Sequence, residues 1–102
     1  MEKYQYNSFS EFYPFYLSQH NNKYCKILHF LGTTFVLAII VISIFYSNAT
    51  YLIYTPFLGY IPAWAGHFFF EKNKPATFKY PVYSLIADFI MYKDIIRGKV
   101  RF

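Results

Sequence analysis

Ile27-Leu-His-Phe-Leu-Gly-Thr-Thr-Phe-Val-Leu-Ala-Ile-Ile-Val-Ile-Ser-Ile-Phe-Tyr46 and, after a short polar turn, Tyr51-Leu-Ile-Tyr-Thr-Pro-Phe-Leu-Gly-Tyr-Ile-Pro-Ala-Trp-Ala-Gly-His-Phe-Phe-Phe70 decide the fold. No Asp, Glu, Lys or Arg occurs between Ile27 and Phe70. Each run has about the twenty residues that a helix needs to cross a bilayer. The turn, Ser47-Asn-Ala-Thr50, is made of residues that cap helices and reverse chains. The expected core is therefore an antiparallel membrane hairpin over 24–46 and 51–71.

A histidine stands near the far end of each run. His29 lies about eighteen residues before the turn and His67 about seventeen after it, so at 1.5 Å per residue both are roughly 25 Å from it and level with each other. Polar groups inside a membrane are costly without partners, which makes a level imidazole pair a functional signal. Three uses stay open: a transition-metal site, the axial ligands of a haem, and interfacial side chains reaching headgroup water.

Composition agrees with the membrane class. The 102 residues make one domain, 15% are charged where soluble chains have about 25%, and 25% are aromatic. The formal charge of +5 is placed around the apolar runs: Lys3, Lys23 and Lys26 before the first, Lys72, Lys74 and Lys79 after the second, and Lys93, Arg97, Lys99 and Arg101 in the tail. The turn carries none, so the positive-inside rule puts both chain ends in the cytoplasm. That distribution is not the basic stripe of a nucleic-acid binder. No cleavable signal peptide is evident, and the hairpin is expected to target the chain to the inner membrane of a bacterium or the endoplasmic reticulum of a eukaryote. Cys25, the sole cysteine, has no disulfide partner within the chain and reads as a structural thiol.

Outside the hairpin, Ser8 and Glu11 have capping-box spacing, and Phe9, Phe12, Tyr13, Tyr16 and Leu17 share a helical face. An amphipathic helix is expected over 8–20, with Pro14 in its early part and His20 at its end. In one continuous helix His20 and His29 would be about half a turn out of phase. A break at Asn21-Asn22 lets His20 fold back to the hairpin mouth. Gly32-Thr33-Thr34 offers a small surface for close helix approach. Pro56, Gly59 and Pro62 interrupt the second run and suggest a pocket near Trp64 to His67. Glu71 follows His67 at i+4. A third apolar helix over 80–97 is too short to span comfortably and contains Asp88, a candidate ligand or an orienting partner for a histidine. It reads as re-entrant or interfacial. Lys23, Lys26, Lys72 and Lys74 near the same mouth could draw in a carboxylate or snorkel to lipid phosphates.

The strings Phe12-Tyr-Pro-Phe-Tyr-Leu-Ser-Gln-His20, Cys25-Lys-Ile-Leu-His-Phe-Leu-Gly-Thr33, Ala63-Trp-Ala-Gly-His-Phe-Phe-Phe-Glu-Lys-Asn-Lys-Pro-Ala-Thr-Phe78 and Tyr80-Pro-Val-Tyr-Ser-Leu-Ile-Ala-Asp-Phe89 occur in that order. Together they resemble the 2-hydroxy fatty acid dioxygenases, a family of small membrane proteins, over nearly the whole chain. The resemblance implies an iron(II) enzyme of fatty acid α-oxidation that shortens a 2-hydroxy fatty acid by one carbon with dioxygen. It implies His20, His29 and His67 as metal and catalytic residues, and adds Glu71 and Asp88 as catalytic candidates. The alternatives are a non-enzymatic membrane protein and a bis-histidine haem electron carrier.

Overall fold

Ser8 starts the first helix because its hydroxyl accepts the Glu11 N–H at 3.3 Å, while the Glu11 carboxylate reaches back to the Asn7 N–H at 3.2 Å. The computed structural model describes residues 6–102 and contains four α-helices: α1 (Phe9–Ser18), α2 (Lys23–Phe45), α3 (Thr55–Ala65) and α4 (Pro81–Ile96). Strands are absent among the described residues. The fold is all-helical, as expected. Residues 1–5 of the unpatterned N-terminal stretch lie outside the described residues, and Tyr6, next to them, stacks on Phe15 at 5.1 Å.

α1 stops two residues short of the expected boundary, leaving His20 in the turn beyond it. Asn21 caps the exposed end through its Nδ2–H to Ser18 O at 2.9 Å, and Asn22 then becomes the N-cap of α2, its Oδ1 accepting the Tyr24 and Cys25 N–H groups. The two asparagines thus make the break. The apolar face of α1 is covered by α4. Phe12 and Tyr16 are fully buried there among Tyr80, Ala87 and Met91, and each aromatic pair in such a cluster adds about 0.5–1.5 kcal/mol. Two hydroxyl–carboxylate bonds tie the helices together: Tyr16 to Asp88 at 2.5 Å and Tyr13 to Asp94 at 2.8 Å. Burial, and then the negative charge of Asp88, pushes the Tyr16 phenol far above its ordinary range, so it stays a donor.

The second apolar run is interrupted, as Pro56, Gly59 and Pro62 suggested. It runs as a 3-10 turn (Ala49–Tyr54), then α3, then a π-helical turn (Gly66–Glu71). Proline explains the first junction: Pro56 has no N–H for the Leu52 carbonyl, which instead accepts from the Thr55 N–H and, at 2.8 Å, the Thr55 hydroxyl. The segment nonetheless packs antiparallel along α2. A Cβ on Gly32 would come within 2.8 Å of Gly59 O, and one on Gly66 within 3.0 Å of Cys25 Cα, so both crossings require the missing side chain. Among the described residues α2 is the one helix long and apolar enough to cross a bilayer, and only 22% of its apolar window is buried within the protein.

Candidate metal centre

Three elements bring one imidazole each to a common point. His20 arrives from the turn after α1, His29 from α2 and His67 from the π-turn, with ring centroids 4.4, 4.5 and 4.9 Å apart. All three are buried. The π-turn matters for His67. It ends at Lys72, a left-handed residue at φ 61°, and both the Lys72 and Asn73 N–H groups return to the His67 carbonyl, so the chain doubles back and sets the Asn73 side chain against the ring.

Hydrogen bonds fix the tautomers. His20 Nδ1 lies 2.6 Å from Tyr16 O and His29 Nδ1 lies 2.9 Å from Cys25 O. A carbonyl only accepts, so each Nδ1 must carry the proton. His67 Nδ1 is 2.7 Å from Asn73 Oδ1, and the amide orientation follows because Asn73 Nδ2 donates to Gln19 O at 3.2 Å. All three Nδ1–H groups therefore donate, leaving every Nε2 with a free lone pair. His20 Nε2 and His29 Nε2 then face each other at 3.0 Å with no proton between them. Two lone pairs at that distance repel unless a cation lies between them. Two nitrogens bound at about 2.1 Å and at right angles to one ion would be about 3.0 Å apart, which matches. The donor set fits a divalent transition metal, because neutral imidazole is the form that ligates. Burial, followed by the neighbouring His29 and His67 rings, holds His20 well below the usual imidazole range and keeps it neutral.

Two cavities share His29 in their walls. A small chamber of about 10 Å³ is bounded by the three histidines, Tyr16, Trp64 and Ser84. That is space for about one water-sized group. A larger groove of about 570 Å³ runs along α2 and α3 past Thr33, Val36, Ile40, Pro56 and Gly59. His29, Tyr60, Ala63 and Asp88 line both spaces and form the junction. Pro56 and Gly59 of the broken second run line the groove.

A family model described as 2-hydroxy-palmitic acid dioxygenase Mpo1-like matches residues 6–100. The chain belongs to this family. No curated protein and no solved structure matches it.

The other residues singled out in this Mpo1-like chain occupy distinct places. Asp88 stands at the junction of the two cavities, with Oδ1 held by Tyr16; burial pushes its carboxyl up to about 7, against the lowering effect of that bond. Glu71 is absent from the lining of both cavities and accepts the backbone N–H of Asn22 through Oε2, pinning the break between α1 and α2. Lys23, Lys72 and Lys74 are exposed, Lys26 is half-buried, and none of the four lines either cavity. Sequence reasoning passed over Asn73 and read Cys25 only as a structural thiol. One ligand atom from each of His20, Cys25, His29 and His67 lies within 4.8 Å of the others, a cluster that could hold a metal ion. Cys25 Sγ is 3.8 Å from His29 Nδ1, the edge opposite the converging Nε2 atoms, and its i, i+4 spacing from His29 was the available signal.

Proposed function

We propose that this protein is an iron(II)-dependent dioxygenase that shortens 2-hydroxy fatty acids by one carbon. The single observation that carries the reading is the buried cluster of His20, His29 and His67, whose ring centroids lie 4.4–4.9 Å apart and of which His29 also lines an apolar groove. The family's description names a 2-hydroxy acid dioxygenase. The groove, at about 570 Å³, is within the usual range of about 300–1,000 Å³ for small-molecule sites, and its aliphatic lining suits an acyl chain.

His20, His29 and His67 hold the iron, which when bound supplies the redox chemistry. The protein does the rest. The groove takes the alkyl chain and excludes water, so the head of the substrate is directed to the junction at His29 and Asp88. Asp88 has Oδ1 engaged by Tyr16 and offers Oδ2 to the 2-hydroxyl, which separates hydroxylated from plain acids. Asn73 orients His67, and Glu71 fixes the turn that carries His20. In the overall reaction the bond between carbons 1 and 2 breaks and dioxygen accepts four electrons. The products are the shorter acid, carbon dioxide and water. A haem between two of these rings has geometry against it, because the rings pack edge to face with no slot for a macrocycle.

The proposed setting is a membrane, with α2 and the segment 51–71 crossing as a hairpin and the lysine-rich ends facing the cytoplasm. The outward Val41, Ile44, Phe45, Phe57 and Ile61 support it as a lipid-facing band. Lys23, Lys26, Lys72 and Lys74 then contact lipid headgroups.

Purified protein with iron(II) and oxygen is expected to convert a long-chain 2-hydroxy acid into the acid one carbon shorter and to leave the matching plain acid untouched. Product analysis by mass spectrometry checks this. No turnover of any 2-hydroxy acid by iron-loaded protein sinks the assignment, and equal turnover of both acids sinks the role of Asp88.

A further inference from the structure

Two buried polar atoms lack a hydrogen-bond partner among the described residues: the indole Nε1–H of Trp64 and the hydroxyl of Ser84. A buried donor left unpaired costs about 1–3 kcal/mol, so such atoms are rare and call for an occupant. Both residues line the small chamber beside the three histidines, although they come from different helices, Trp64 from α3 and Ser84 from α4. Ser84 is 1% exposed, and its hydroxyl does not take the carbonyl one turn back, the usual resort of a helical serine. The indole is held in place by its neighbours: Tyr60 stacks on it at 5.3 Å and Phe78 meets it edge-on at 5.1 Å. Two neutral donors therefore belong to the walls of the same water-sized space that the three histidines bound. That space and the apolar groove share His29, Tyr60, Ala63 and Asp88 in their walls.

We infer that Trp64 Nε1–H and Ser84 Oγ–H form the subsite for a carboxylate oxygen of the bound fatty acid. The inference rests on the dioxygenase reading and names what holds the acid's charged end. Tryptophan's N–H can only donate, so the ligand atom there must be an acceptor, and with Asp88 placed for a hydroxyl proton the carboxylate is the acceptor that remains. The surface lysines are then unnecessary for capture. A chain lying in the groove delivers its head to the chamber without leaving the apolar lining.

Trp64 is the only tryptophan in the chain, so its indole gives one signal. The test uses the full chain in lipid nanodiscs, loaded with redox-inert zinc and isotope-labelled at tryptophan. It is titrated with 2-hydroxyhexadecanoate and, separately, with pentadecan-1-ol, which keeps the hydroxyl and chain but lacks the carboxylate. The acid is expected to move the indole N–H resonance downfield, and the alcohol to bind without that shift. Ser84→Ala is expected to weaken the acid at least about tenfold, as for loss of a hydrogen bond to a charged group, and to leave the alcohol's affinity unchanged. Binding of the acid with an unmoved indole signal overturns the subsite and leaves the dioxygenase reading standing. Undiminished acid binding by Ser84→Ala also overturns it. Failure of the wild-type protein to bind the acid at all overturns both. The wild-type resonance decides the matter even if the variant fails to fold.

Discussion

Alanine at His20, His29 or His67 is expected to lower the affinity for a divalent transition metal by at least about a hundredfold, since removing even an outer partner of a ligand typically costs ten- to a hundredfold. Metal titration of each variant checks this. The same substitutions carry an opposite expectation for the metal-free protein. His20 Nε2 and His29 Nε2 face each other at 3.0 Å with both protons elsewhere, so deleting either ring relieves a repulsion. Metal-free His20→Ala should therefore unfold no more readily than metal-free wild type, while the gain in stability on adding metal, present in wild type, disappears. An ordinary core histidine would behave the other way, with alanine destabilising the protein whether or not metal is present.

Asn73→Ala is the second large effect. Asn73 lines neither the chamber nor the groove, yet its Oδ1 holds the His67 Nδ1 proton at 2.7 Å while its Nδ2 is anchored on Gln19. Losing that partner frees the ring to rotate and to move its proton to Nε2. Metal affinity is expected to fall about ten- to a hundredfold. Asn73→Asp keeps an acceptor at the same reach and should restore most of it, because a carboxylate raises ligand basicity. A residue that merely fills space would not distinguish Ala from Asp in this way. Equal affinity in all three proteins, measured by competition with a chelator, would remove Asn73 from the site.

The triad itself was legible in the sequence because two of its members obey helical arithmetic. His29 and His67 count back to the same depth from Ser47–Thr50, and Asn21-Asn22 announces the reversal that brings in His20. Gly32 likewise declared a close crossing, which the structure places at Gly59. What periodicity could not reveal are contacts made by irregular backbone. Asn73 reaches His67 only because a π-turn ends in a left-handed Lys72, a conformation that costs a side-chain-bearing residue about 1–2 kcal/mol and leaves no mark on hydrophobic pattern. Glu71 illustrates the same limit. Its i+4 spacing from His67 assumes an α-helix, but the extra residue in the π-turn rotates it toward the Asn22 N–H. The irregularity of the returning segment was legible at Pro56, beside which the 3-10 turn gives way to α3, whereas the π-turn from Gly66 left no mark on the pattern. The apolar face of α1 was legible from its spacing, but its partner, α4, lies about seventy residues away in sequence, beyond the reach of periodicity.

X-ray absorption on the full chain loaded with one equivalent of divalent metal tests the central claim most directly. The account predicts a first shell of nitrogen and oxygen with the multiple-scattering signature of three imidazoles and no sulfur, because Cys25 lies on the Nδ1 edge of His29. A sulfur scatterer at about 2.3 Å, or fewer than three imidazoles, would contradict it.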